Sequence, residues 1–351
     1  MSAQPFIYPP MPQGIDEKVI QPSPAFKNEV VKVAASIVFF ILFYLVMVSL
    51  ALGFAALCAF AGYSLMVAKP QFFTLMIGLG LAGLGVMVAF FMLKFIFKSN
   101  QTDRSNMLEL QETDQPELFA FIRQLTTETK TPFPKRILLS ADVNASVFYD
   151  SSFWSMFLPV KKNLVIGLGL VNCVNISEFK AILAHEFGHF SQRSMKLGSF
   201  VYNLNSIIHE MLYDNDGYEK ILEKWANISS YFAFFAKVTV GIVQGIQKVL
   251  QKAYELVNRN YLGLSRQMEF HADAVAAYVS GGNHLISSLR RLEAADICYN
   301  RVIAYYNSWV PENLKADNFY QCHTEVMQHF SRDFKIPYQN GLLQVLSLIH
   351  I

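Results

Sequence analysis

VAASIVFFILFYLVMVSLALGFAALCAFAGYSLMVAKPQFFTLMIGLGLAGLGVMVAFFML, residues 33–93, contains one formally charged side chain, Lys69. The 36 residues from Val33 to Ala68 carry none, nor do the 24 from Pro70 to Leu93. A bilayer core takes about 20 apolar residues of helix. The first run therefore exceeds one crossing and falls short of two with a turn between them. We read it as a single long or tilted helix, about residues 33–58, whose far end continues to a turn at Lys69-Pro70, and we read residues 72–95 as a second crossing. Gly78, Gly80, Gly83 and Gly85 let two helices approach closely, which predicts a packed transmembrane hairpin. Lys18, Lys27 and Lys32 precede the first helix, Lys94, Lys98 and Arg104 follow the second, and the turn has only Lys69. By the positive-inside rule both ends of the hairpin, and everything after residue 98, lie in the cytoplasm.

Outside this run the composition is that of a folded domain, and 29 basic against 27 acidic residues create no broad electrostatic field. A nucleic-acid partner is therefore not expected. No GxxxxGK[ST] loop occurs, so no ATP use is expected within this chain. Cys58, Cys173, Cys298 and Cys322 have no metal-ligand spacing and read as ordinary thiols. Residues 1–30, with six prolines between Pro5 and Pro24, read as an extended, mobile tail. After Thr113 a helix opens at Gln115-Pro116-Glu117, followed by β-type runs at Arg136–Ser140, Ala145–Tyr149 and Asn163–Val171. The rest reads as helix, with Arg290, Arg291 and Glu293 on a solvated face.

One of these helices starts with a capping-box pattern, Asn175 and Glu178, and carries His185-Glu186-Phe187-Gly188-His189. Histidines at i and i+4 project from one face, close enough to bind one zinc ion, and Glu186 can reach a water on that metal. Ile182, Leu183, Phe187 and Phe190 make this a buried helix, where unligated imidazoles would need other partners. A catalytic zinc takes three protein ligands. The third is expected from Ser265-Arg266-Gln267-Met268-Glu269-Phe270-His271-Ala272-Asp273, where Glu269 and Asp273 share a helix face. Glu269 can bind metal and Asp273 can orient a ligand histidine. Taken without the HExxH motif, the same two residues read as a surface acidic pair near Arg266.

Ala184-His185-Glu186-Phe187-Gly188-His189 with Ser265-Arg266-x-x-Glu269-Phe270-x-Ala272-Asp273 resembles the integral-membrane zinc metalloproteases that include HtpX and the CAAX prenyl endopeptidases. The resemblance implies a mainly α membrane protein, with a transmembrane hairpin followed by a gluzincin-like α+β metalloprotease domain holding a small sheet and zinc-binding helices. It implies one Zn2+ per chain on His185, His189 and Glu269, Glu186 as general base on the zinc-activated water, and Asp273 behind a ligand. Asn144-Ala145 is similar to the family's Asn-Ala segment near the substrate cleft. Asn163–Val171 matches its edge strand, along which a substrate could add beside Gly167 and Gly169. His271, His284, His323 and His329 are the candidates for an oxyanion-stabilising group that no motif here assigns.

The expected domains are the tail 1–30, the hairpin 31–98, a metalloprotease domain 99–335 with an amphipathic, membrane-associated insertion at about 196–258, and an end, 336–351. The last six residues, Leu346-Ser347-Leu348-Ile349-His350-Ile351, match the translation of a transposon mosaic-end sequencing adapter, so the natural chain is expected to run on. The expected activity is endopeptidase cleavage of membrane or misfolded proteins on the cytoplasmic side of a bacterial inner membrane, with a protein or peptide substrate and the lipid bilayer as partners. The alternatives are a CAAX-type prenyl-peptide endopeptidase and a non-catalytic membrane scaffold that keeps the fold.

Overall fold

In a computed structural model of the chain, residues 8–94, 106–148, 162–191, 201, 204–205, 208–209, 216–312 and 316–345 are described. The end of the second expected crossing, Tyr149 of the second β-type run, most of the first part of the insertion and the last six residues lie outside them. The first helix, α1, runs from Pro24 to Ala68. The Ser23 side chain accepts the Phe26 N–H at 3.0 Å and Pro24 occupies the first turn, where its missing N–H costs nothing. At 1.5 Å per residue its 45 residues span about 68 Å, roughly twice a bilayer core. Helix α2, Phe72–Leu93, returns antiparallel after the Lys69-Pro70 turn. Close approach of the two is built on glycine: a Cβ on Gly78 would lie 2.7 Å from the Gly62 carbonyl oxygen and from Met66. Tyr44 donates to the Met92 carbonyl at 2.5 Å, so α2 ends level with Tyr44 and the first 20 residues of α1 reach beyond it.

Residues 8–23 correct the expectation of a mobile tail. The segment is largely extended, with a short 3-10 helix at Glu17–Ile20, but it lies against the folded domain: the Tyr8 ring meets Phe121 at a tilt, 5.0 Å between centres, the Pro9 carbonyl accepts from Lys180 at 2.8 Å, and the Ile20 carbonyl bonds His271 at 2.9 Å.

The sheet has the strand order β1 (Leu108–Glu109), β2 (Ile137–Ser140), β4 (Asn163–Gly167), β3 (Ala145–Phe148). Strands β2 and β4 are parallel with Ile137 opposite Leu164, and β3 is antiparallel to β4 with Ala145 opposite Ile166. This corrects two readings. Strand β4 is interior, every residue buried, and among the described strands the edges are β1 and β3. Gly167 and Gly169 also serve the chain itself: a Cβ on Gly167 would strike the Asp142 and Asn144 carbonyls, and one on Gly169 would lie 2.8 Å from Val143. After Gly167 the expected strand becomes a short helix, α4, Leu168–Val171.

Helices α3 (Pro116–Glu128) and α5 (Ile176–Ser191) pack with the sheet around Phe121, Ile122, Leu125, Leu164, Ile166, Leu183 and Phe187. Helix α6, Asp216–Ala226, descends along α2, with Tyr218 against Phe91 at 5.4 Å and Trp225 over Gly83. Helix α7, Ser230–Ser280, starts beside the far end of the hairpin, Tyr231 against Phe73 at 5.6 Å, and runs unbroken for 51 residues. Its buried face, including Phe235, Val243, Leu250, Val257 and Leu264, packs on α1 and α2. Lys237, Lys248, Lys252, Arg259 and Arg266 stay on the exposed side. Helices α1, α2 and α7 are each long and apolar enough to cross a membrane. Helix α8 (Gly282–Trp309), helix α9 (Phe319–Asp333) and the two-stranded β5 (Tyr338–Gln339) and β6 (Leu342–Leu343) complete the described fold.

Arg291 departs from the expected solvated face. It is buried, ion-paired with the buried Glu178, and donates to the Leu343 carbonyl at 2.8 Å. A carboxylate buried at the start of α5 needs a compensating charge, and Arg291 supplies it.

Candidate metal centre

The start of α5 is held as its sequence requires. Glu178 N–H donates to Asn175 Oδ1 at 2.9 Å and Asn175 N–H donates to Glu178 Oε2 at 3.0 Å, a reciprocal capping box. Ala181, Leu183, Ala184 and Phe187 are fully buried, which leaves the faces bearing His185 and His189 to meet α7. There Gly188 abuts Ala272: a Cβ on Gly188 would lie 2.7 Å from Ala272 Cα. The missing side chain lets the two backbones come together and brings Glu269 and Asp273 opposite the histidines.

His185 Nε2 lies 3.3 Å from His189 Nε2 and 3.3 Å from Glu269 Oε2, and His189 Nε2 lies 3.6 Å from the same oxygen. A tetrahedral ion with ligand bonds of about 2.0–2.1 Å has edges of roughly 3.4 Å. Three donor atoms thus stand at three corners of the polyhedron zinc prefers. His185 Nδ1 is 3.0 Å from Asp273 Oδ1, a contact that would keep a proton on Nδ1 and free the Nε2 lone pair for a metal once the Nε2 proton is displaced. The donor set fits a zinc ion, and it is the one group of three such residues found among the described residues.

The electrostatics agree. Hydrogen bonds from His185 and His189 hold the Glu269 carboxyl far below the ordinary range, outweighing its partial burial. Burial alone would lower the His185 pKa, but the hydrogen bond to Glu269 and the charges of Glu186, Asp273 and Glu269 raise it above its usual value. Glu186 is pushed up by burial, while the neighbouring histidines and a hydrogen bond from the Val147 backbone N–H pull the other way. This N–H belongs to edge strand β3, a link that the sequence did not flag. Lys162 Nζ reaches the His189 carbonyl at 3.3 Å, near the end of α5. Asn144 sits at the start of β3, and its carbonyl accepts the Gly167 N–H at 2.8 Å. The histidines considered for an oxyanion role do not join the cluster. His271 faces Ile20 and Phe26, His323 is buried against the Ala295 carbonyl at 2.9 Å, and His284 and His329 are exposed on other helices.

Apolar helices, a small sheet and an HExxH helix facing a second acidic helix mark a membrane metallopeptidase. The model of peptidase family M48 matches residues 112–319, and the chain belongs to this family, among the HtpX-like membrane zinc metalloproteases. It is 24% identical over 243 residues to a protease HtpX homolog of Thermococcus kodakarensis, covering 63% of this chain and 75% of that protein. It is 29% identical over 160 residues to protease HtpX of Vibrio atlanticus, covering 42% of this chain and 50% of that one, and 26% identical over 220 residues to protease HtpX of Hahella chejuensis, covering 60% and 67%. No solved structure matches.

Proposed function

We propose that the chain is a zinc-dependent endopeptidase of membrane or misfolded proteins, anchored in a bacterial inner membrane with its metal centre on the cytoplasmic side. The observation that carries this reading is the cluster His185, His189 and Glu269, with donor atoms 3.3–3.6 Å apart and His185 oriented by Asp273. A zinc ion bound there supplies Lewis acidity to a water and to the scissile carbonyl. Glu186 takes the proton of the attacking water on its carboxylate and returns it to the leaving amide nitrogen. Its raised pKa keeps it closer to neutrality than an ordinary carboxylate, which suits a group that must both accept and donate. Asp273 holds the His185 tautomer. An extended substrate segment adds along the outer side of β3, Ala145–Phe148, so that its peptide bonds run past the Val147 N–H that touches Glu186.

The orientation rests on lysines at both ends of the hairpin and on α1, whose first turns pack against α7 close to Glu269. The test pairs zinc content with activity. Glu186→Gln retains zinc and loses cleavage of an unfolded membrane substrate by at least about 100-fold. Undiminished turnover in that variant, or a purified chain that takes up no zinc, refutes the proposal.

A further inference from the structure

We infer that residues 8–26 are a positioning strap that grips the two ligand-bearing helices from behind and sets the separation of His185 and His189 from Glu269; this rests on reading the cluster as a zinc site. On α5 the grip is Lys180. Its side chain is fully buried, and its ammonium lies 2.8 Å from Glu128, 2.8 Å from the Pro9 carbonyl and 4.5 Å from the centre of the Tyr8 ring. Tyr8 in turn donates to Glu128 at 2.7 Å. On α7 the grip is His271, which bonds the Ile20 carbonyl at 2.9 Å and meets the Phe26 ring at 5.7 Å.

The placement decides the role. Side chains advance about 100° per residue round a helix, so Lys180 lies about 140° from His185, and His271 about 160° from Glu269. The strap therefore holds each helix on the face opposite its metal ligand. Glu17 pairs with Lys130 just beyond α3, and Phe26 stands in the first turn of α1, so the same segment joins both helices to the membrane anchor. Loss of residues 8 and 9 takes two of three partners from a buried ammonium, and α5 relaxes where it needs to be fixed.

The test is zinc affinity of the folded, full-length chain, measured by competition with a chromophoric chelator, together with the cobalt-substituted absorption spectrum as a reading of ligand geometry. Tyr8→Ala should weaken zinc about tenfold and alter the cobalt spectrum, as expected when a group supporting a ligand is lost. Tyr8→Phe keeps the ring against Lys180 and Phe121 and should recover most of the affinity. To separate positioning from folding, a specific protease site is placed after Gly14, an exposed turn with φ +82° and open space around it, and the strap is cut after assembly. The cut protein freed of its fragment should show the Tyr8→Ala affinity; where the fragment stays bound, the Tyr8→Ala chain decides. Zinc affinity within twofold of the parent in that chain, with an unchanged cobalt spectrum, overturns the strap alone. A parent chain that binds no zinc overturns the zinc reading together with it.

Discussion

Replacing Gly188 by alanine tests whether the α5–α7 contact is what makes the metal centre. The added Cβ would lie 2.7 Å from Ala272 Cα, 3.1 Å from its Cβ and 3.2 Å from its carbonyl oxygen. Carbon atoms in ordinary contact stand about 3.5–4.0 Å apart, so the shortfall is roughly 1 Å. Both atoms in the closest pair are fixed to helix backbones, and no rotamer change relieves it. The helices must part by a large fraction of that distance, beside His189 and one turn from Glu269. Metal sites tolerate errors of about 0.2 Å, so Glu269 is carried out of reach and the ligand count falls to two. Overpacking of this kind costs about 1–3 kcal/mol in stability, and we expect zinc affinity to drop more than about tenfold. Chelator competition measures the affinity. Thermal unfolding with and without zinc gives a second reading, because the stabilisation by bound zinc scales with the logarithm of affinity. A folded Gly188→Ala chain with parental zinc affinity and cleavage rate would refute the reasoning.

Zinc must displace a proton from His185, whose pKa is raised. Its affinity should therefore fall with decreasing pH from above about 6.5, the ordinary histidine value. Glu269→Gln removes the strongest interaction raising the pKa, so an imidazole titration of the metal-free variant by NMR should show His185 releasing its proton at lower pH. An unshifted titration contradicts the assignment. Arg291→Met strands the buried carboxylate of Glu178 and should cost about 3–5 kcal/mol in denaturant unfolding, with most of the loss recovered by adding Glu178→Gln. In the hairpin, Gly78→Leu forces α1 and α2 apart and should cost about 1–3 kcal/mol, read as lost thermal resistance in detergent. Gly53→Leu, with nothing within 4 Å, should leave that resistance unchanged; equal effects at the two positions would undo the packing argument.

The hairpin and the metal cluster were legible because each follows from one strong physical constraint. An uncharged run is measured against bilayer thickness, and i, i+4 spacing puts His185 and His189 on one face. Asn163–Val171 was misread for a reason its own composition contains. A continuous apolar run belongs to a strand buried on both faces, whereas an edge strand with a wet face alternates. The tail escaped notice because extended, proline-rich backbone packs without periodicity. The one sequence hint was a lysine, Lys180, in the apolar setting of Phe179-Lys180-Ala181-Ile182, where a cation implies a partner brought from elsewhere. Arg291 follows the same logic from the other side: the capping-box pattern accounts for Glu178 as a cap, whereas its burial demands a countercharge from a distant helix. Helix α7 spans what the sequence presents as two features, an amphipathic insertion ending near residue 258 and the acidic motif at Glu269–Asp273. In the fold Gly241, Gly245 and Gly263 do not interrupt it, Gly241 and Gly245 face open space, and one helix passes through both features.

That continuity limits how this chain can vary in length. Each residue added to an α-helix turns everything downstream by about 100° and advances it by 1.5 Å. One residue inserted between Tyr254 and Leu264 would swing Glu269 away from both histidines while the membrane end stayed in place. In this chain a change of length within Ser230–Asp273 therefore shifts Glu269 out of register with the membrane contacts of the same helix, whereas a change ahead of Ser230 leaves that register intact.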